Sequence, residues 1–99
     1  MANYVLTNKA VEDLANIWNY TFTEWSEKQA DKYYYELIDG FENLAENPNF
    51  GKNYNHINAE IFGFLVNMHI IFNQKWKGSK ILIVRILHAS SDLKSRILD

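Results

Sequence analysis

The sequence predicts an α+β fold in the order β-α-α-β-β-β, with an α-helical hairpin packed on one face of a small antiparallel sheet. Three observations carry that prediction. Two capped stretches of helical period fill the first half, three apolar runs of strand length fill the second, and a Lys-Gly-Ser-Lys turn joins the last two runs. With 99 residues the chain is read as a single domain, 1–99, around one modest core.

Residues 3–6 (Asn-Tyr-Val-Leu) read as a short first strand. Thr7 or Asn8 then caps a helix whose apolar positions Ala10, Leu14, Ile17, Trp18 and Trp25 recur at helical spacing. Ser26 and Gln29 stand three apart, the separation of a capping box, so a second helix starts there with Ala30, Tyr33, Leu37, Phe41 and Leu44 as its core face. It stops at Asn47-Pro48, because the residue before proline is pushed out of the α region. Residues 49–58, rich in Asn and holding Gly51, read as a loop.

The period then changes. Ile61–Val66, Met68–Phe72 extending to Trp76, and Ile81–Leu87 are strands, with Lys77-Gly78-Ser79-Lys80 as a tight antiparallel turn. Strict alternation puts Leu82, Val84, Ile86 and His88 on one face of the last strand and Ile81, Ile83, Arg85 and Leu87 on the other. Leu14, Leu37, Phe41, Leu44, Val84 and Ile86 are the expected core, and most of Trp18, Trp25, Tyr33 and Phe41 belong with them by helical spacing. A short C-terminal helix is expected from Ser91 to about Leu98, with the Ser90-Ser91-Asp92 cluster as its cap.

Composition excludes several classes. A hydrophobic fraction of 47% and an aromatic fraction of 15% argue against disorder. No apolar run approaches the roughly 20 residues that cross a bilayer, and no signal-peptide pattern opens the chain, so no membrane role is expected. Cysteine is absent, which removes disulfides and thiolate chemistry and fits a cytoplasmic location. The net charge of −2 is unevenly divided: residues 1–50 carry −6 and residues 51–99 carry +4. The low pI, about 5.9, suits a protein partner better than sequence-specific nucleic-acid binding.

Candidate functional residues are few. Arg85 and His88 interrupt an apolar strand, and a charge there must find a partner or a functional face; Asp92 or Glu60 is the expected partner if Arg85 is structural. His56, His69 and His88 are separated by 13 and 19 residues across different elements and carry no ligand signature, so neither a metal nor a cofactor is expected. No phosphate loop or nucleophile elbow is present, so no catalytic residue is assigned. Tyr20 lies at the margin of its helical stripe and Tyr35 opposite its own, where exposed aromatics can anchor a partner helix.

These pieces resemble the ParE toxins within the RelE/ParE superfamily. Family members carry a pattern like Ala-x-x-Asp-Leu-x-x-Ile-Trp-x-Tyr in the first helix, here Ala10, Asp13-Leu14, Ile17-Trp18 and Tyr20. The second helix of the family ends in Leu-Ala-x-x-Pro-x-x-Gly, here Leu44-Ala45, Pro48 and Gly51; the closing motif is Arg85-Ile86-Leu87-His88 followed by Asp92. The resemblance implies the toxin component of a bacterial type II toxin–antitoxin system, held as a hetero-oligomer by a cognate ParD-like antitoxin and acting on DNA gyrase by binding rather than by catalysis. Under that reading Arg85, His88, Asp92 and Arg96 are the expected target contacts, and Tyr20 and Tyr35 the expected antitoxin contacts. The alternatives are a ribosome-dependent mRNA endonuclease of the RelE type and a non-toxic binding module on the same fold. Where many relatives have an arginine on the second strand this chain has Phe62, and Asn73 replaces a frequent tyrosine after Phe72. A single arginine on the sheet is too little to orient a 2′-hydroxyl and stabilise a phosphorane-like transition state.

Overall fold

The computed structural model describes residues 3–58 and 60–98. In chain order the elements are β1 (Tyr4–Leu6), α1 (Asn8–Glu24), α2 (Glu27–Glu46), a 3₁₀ turn (Pro48–Phe50), β2 (Lys52–Asn53), β3 (Phe62–Val66), β4 (His69–Lys75), β5 (Ile81–His88) and α3 (Leu93–Leu98). Both helix starts follow the sequence: Thr7 Oγ1 accepts from the Ala10 amide and Ser26 Oγ from the Gln29 amide, each at 3.0 Å. α2 ends at Glu46, and Asn47 serves as its cap before Pro48. Among the described residues no helix is long and apolar enough to cross a membrane.

The architecture is α+β as expected, but the sheet is mixed rather than antiparallel. Its order is β1-β5-β4-β3-β2, and β1 runs parallel to β5 with Tyr4 opposite Ile81. Turn chemistry dictates direction only for neighbours joined by a short turn. β1 meets a partner 77 positions away, after the helical hairpin has crossed the sheet, and no local signal encodes that direction. The loop after α2 also contributes a two-residue edge strand, Lys52–Asn53, which strand-length patterning does not reveal.

Core positions divide between the two faces of the sheet. On the helix side Leu37, Phe41, Leu44, Ile71, Ile81, Ile83 and Ile86 are all buried, with Leu14 half-buried against them. Behind the sheet Ile61, Ile70, Phe72 and Leu87 form a second cluster, covered by Tyr54, Leu93 and Ile97 from the 54–61 loop and α3. Val84 packs against this second cluster and is half-buried. Trp25 departs from its expected core place: it caps α1 with non-helical dihedrals, leaves the stripe and is 76% exposed. Trp18 is half-buried, its indole N–H donating to Asp31 at 3.0 Å.

The strict alternation expected for β5 fails at one point. Near the turn Lys75 pairs with Ile81 and Asn73 with Ile83, a register that would set His69 opposite Leu87. An irregularity at Phe72/Asn73 leaves Val84 without a partner, and beyond it Phe72 faces Arg85, Ile71 faces Ile86 and His69 faces His88. A one-residue slip exchanges the two faces. Ile86 therefore joins Ile81 and Ile83 under the helices, while Leu87 turns to the other side, where Val84 already lies.

Candidate functional site

β1 ends opposite Ile83, so β5 loses its strand partner on that side from Val84 onward. α1 supplies the missing hydrogen bonds. Thr7 Oγ1 donates to the Val84 carbonyl at 2.7 Å, and the Asp13 carboxylate accepts the Ile86 N–H at 3.0 Å. The same carboxylate takes Arg85 in two-point geometry, Nε to Oδ2 at 2.8 Å and Nη2 to Oδ1 at 3.0 Å. Arg85 and Asp13 are 7% and 8% exposed. The remaining guanidinium nitrogen, Nη1, donates to the Arg96 carbonyl at 2.6 Å and ties α3 to β5. Arg85 thus pairs with Asp13, not with the expected Asp92 or Glu60. Asp13 lies one helical turn from Ala10 and from Ile17, so it shares their buried face and reaches the strand.

Around this pair the structure opens a cleft of about 310 Å³ between α1 and the end of the β4–β5 ladder. Tyr20, His88 and Arg96 line it together with His69, Asn16 and Ser91. Three of the six candidate residues therefore share one cavity, and Arg85 stands behind it. Asp92 points elsewhere: its carboxylate accepts from the Ser95 hydroxyl at 3.0 Å and faces the Ser95 amide at 3.4 Å, capping α3. Tyr35 belongs to a separate groove of about 360 Å³ on the outside of the hairpin, lined by Leu14, Ala15, Trp18, Asn19, Asp31 and Tyr34. Tyr20 and Tyr35 are both 65% exposed but do not meet in one site.

Sequence reasoning missed His69 in the cleft wall and Tyr33, which is bonded to it from behind. The Tyr33 hydroxyl lies 2.6 Å from His69 Nδ1 and donates to the Val66 carbonyl at 3.0 Å. Burial pushes this hydroxyl up to about 12. Burial and the neighbouring His88 hold His69 down at about 4, so it is neutral at physiological pH. The signal for Tyr33 was submerged in its core spacing. That for His69 required the β5 register.

Residues 4–93 match the sequence profile of the family described as ParE toxin of type II toxin-antitoxin system, parDE. The chain belongs to the ParE toxin family. It is 30% identical to Toxin ParE1 of Caulobacter vibrioides over 97 residues, covering 98% of this chain and 99% of the relative. It is 31% identical to Toxin ParE of Escherichia coli over 99 residues, covering 100% and 96% respectively. The fold matches a solved chain titled Chromosomal ParDE TA system from P. aeruginosa with a TM-score of 0.74 at 20% identity, over 89% of this chain and 96% of that one. Within the ParE pattern, Asp13 of the helix motif and Arg85 of the closing motif prove to be one ion pair, made across 72 positions.

Proposed function

We propose that this ParE-family toxin acts by binding DNA gyrase and is neutralised by a ParD-like antitoxin that covers its helical hairpin. The observation that carries the antitoxin half is an apolar stripe left uncovered along α1. Val11 (53% exposed), Phe22 (48%) and Trp25 (76%) are exposed, and Ala15 and Trp18 complete a spacing of four and three residues. Such spacing is the seam that receives a partner helix. The Trp18–Tyr35 groove runs beside it, and the −6 charge of the first 50 residues favours a basic flank on the incoming segment. Coupled folding of a disordered segment suits a long, shallow surface of this kind.

For the target half, the family and the basic C-terminal region support gyrase contact through the Tyr20–His88–Arg96 cleft and α3. Arg85 enters this proposal as the residue that positions α3 through the Arg96 carbonyl, and Asp92 as its cap. Induction in bacteria tests the antitoxin half: growth should arrest, and co-expression of a small partner encoded beside the gene should relieve the arrest. Trp18→Asp and Tyr35→Asp should keep toxicity but lose that relief. A neighbouring partner that relieves arrest equally well for both variants would place the antitoxin elsewhere.

A further inference from the structure

The register of β5 makes His69 and His88 direct cross-strand neighbours. Their ring centroids are 5.3 Å apart with planes at 79°, and both rings line the cleft. Two imidazoles bound through nitrogen at about 2.1 Å to one tetrahedral ion have ring centres roughly 5 Å apart. The hydrogen bonds leave His69 one nitrogen free for a ligand, whereas His88, whose Nδ1 accepts the Ser90 N–H, must change tautomer to offer one. Tyr33 has a single hydroxyl proton and gives it to the Val66 carbonyl, an acceptor only, so at the 2.6 Å contact His69 Nδ1 donates and Nε2 keeps a lone pair. A metal-bound histidine characteristically donates its other ring N–H to a fixed acceptor in this way.

We infer that His69 and His88 form a two-histidine site for a borderline divalent transition metal such as Zn²⁺, Ni²⁺ or Cu²⁺, bound through both Nε2 atoms. His88 Nδ1 receives the Ser90 N–H at 3.1 Å and lies 2.7 Å from Ser90 Oγ. On metallation the His88 proton moves from Nε2 to Nδ1 and is accepted by Ser90 Oγ, at the expense of the backbone contact. No proton is released. Asp13 is committed to Arg85 and the Ile86 amide, and among the described residues no three-ligand His/Cys/Asp/Glu cluster exists. The remaining coordination positions therefore face the cleft and hold water. Arg96, in the same cleft, favours an anion from solvent, such as the chloride of the metal salt, as a further ligand.

The test is calorimetric titration of the full chain, stripped with chelator and freed of any affinity tag, with ZnCl₂ and with NiCl₂. One ion per chain should bind. His69→Gln and His88→Gln should each weaken binding at least tenfold, Tyr33→Phe roughly tenfold, and His56→Gln not at all. Nitrogen-15 imidazole spectra of the unaltered protein give an arm independent of variant folding. They should show a proton on His69 Nδ1 before Zn²⁺ and shifts at His69 and His88 alone after it. No binding at millimolar metal, equal loss in His56→Gln, or Zn²⁺ shifts centred on His56 would overturn the site.

Discussion

The carboxylate of Asp13 and the guanidinium of Arg85 meet in a buried two-point ion pair that joins α1 to β5, 72 residues apart in sequence. Read from sequence alone, Arg85 is either a target contact or a structural charge paired with Asp92 or Glu60. The geometry gives it a structural partner, Asp13, and removing either member strands the other charge in a site less than a tenth exposed. Arg85→Ala and Asp13→Ala should each cost about 3–5 kcal/mol, and the paired replacement by leucine and methionine should cost less than the sum. Urea denaturation of the two single variants and the double variant checks this. Singles that melt with the parent would make the pair incidental.

Phe41 is fully buried, at the centre of the helix-side core, with its ring 5.4 Å from that of Tyr4. Phe41→Ala should destabilise the domain by about 3–5 kcal/mol, enough to unfold much of so small a protein. A melting temperature within a degree or two of the parent would contradict the core assignment.

Gly63 on β3 admits no side chain. A Cβ there would lie 2.5 Å from the Tyr54 ring and 2.7 Å from Ile70 Cγ2, so Gly63→Ala should cost about 1–3 kcal/mol by forcing Tyr54 off the second cluster. The glycine at 78, with φ of 62° and open space around it, should lose stability through backbone strain alone when changed to alanine. Near-ultraviolet circular dichroism distinguishes the two, since only the first variant should disturb the tyrosine signal.

Acid should weaken the fold through His69. Its folded value, about 4, is below the ordinary 6.5, so the unfolded chain binds more protons between those values and stability falls as pH drops through that window. Above about pH 6.5 the contribution is complete. Its size, discounted for partial exposure, is on the order of 1–3 kcal/mol. Tyr33, His88 and Asp13 are the ionisable groups acting on or bonded to this imidazole. Denaturant melts at pH 4.5 and 7.5 in chelator-containing buffer should differ more for the parent than for His69→Gln; equal differences would remove His69 as the cause.

The elements of this fold were legible because each is encoded locally. Thr7 and Ser26 announce the helices, Asn47-Pro48 closes the second, and the turn at Gly78 joins the last strands. What escaped depends on contacts between distant segments. The parallel direction of β1 is set by where α1 and α2 return the chain, and the unpaired Val84 is visible only once β4 lies beside β5. That single irregularity explains both the misassigned face of Ile86 and the unforeseen meeting of His69 with His88. Of the site, the isolated charge of Arg85 was legible but its partner was not. Asp13 did carry a signal, an acid in step with Ala10 and Ile17 on the buried face of its helix.

Gyrase action is the central claim, and a cleavage assay with purified gyrase and supercoiled plasmid addresses it most directly. The chain should convert plasmid to linear DNA trapped on gyrase. Arg96→Ala and His88→Ala should reduce that product at least severalfold while melting like the parent, and pre-incubation with the antitoxin should abolish it. Plasmid left intact at saturating protein, with messages cut on ribosomes in cells induced to make the chain, would contradict the account and support the endonuclease reading.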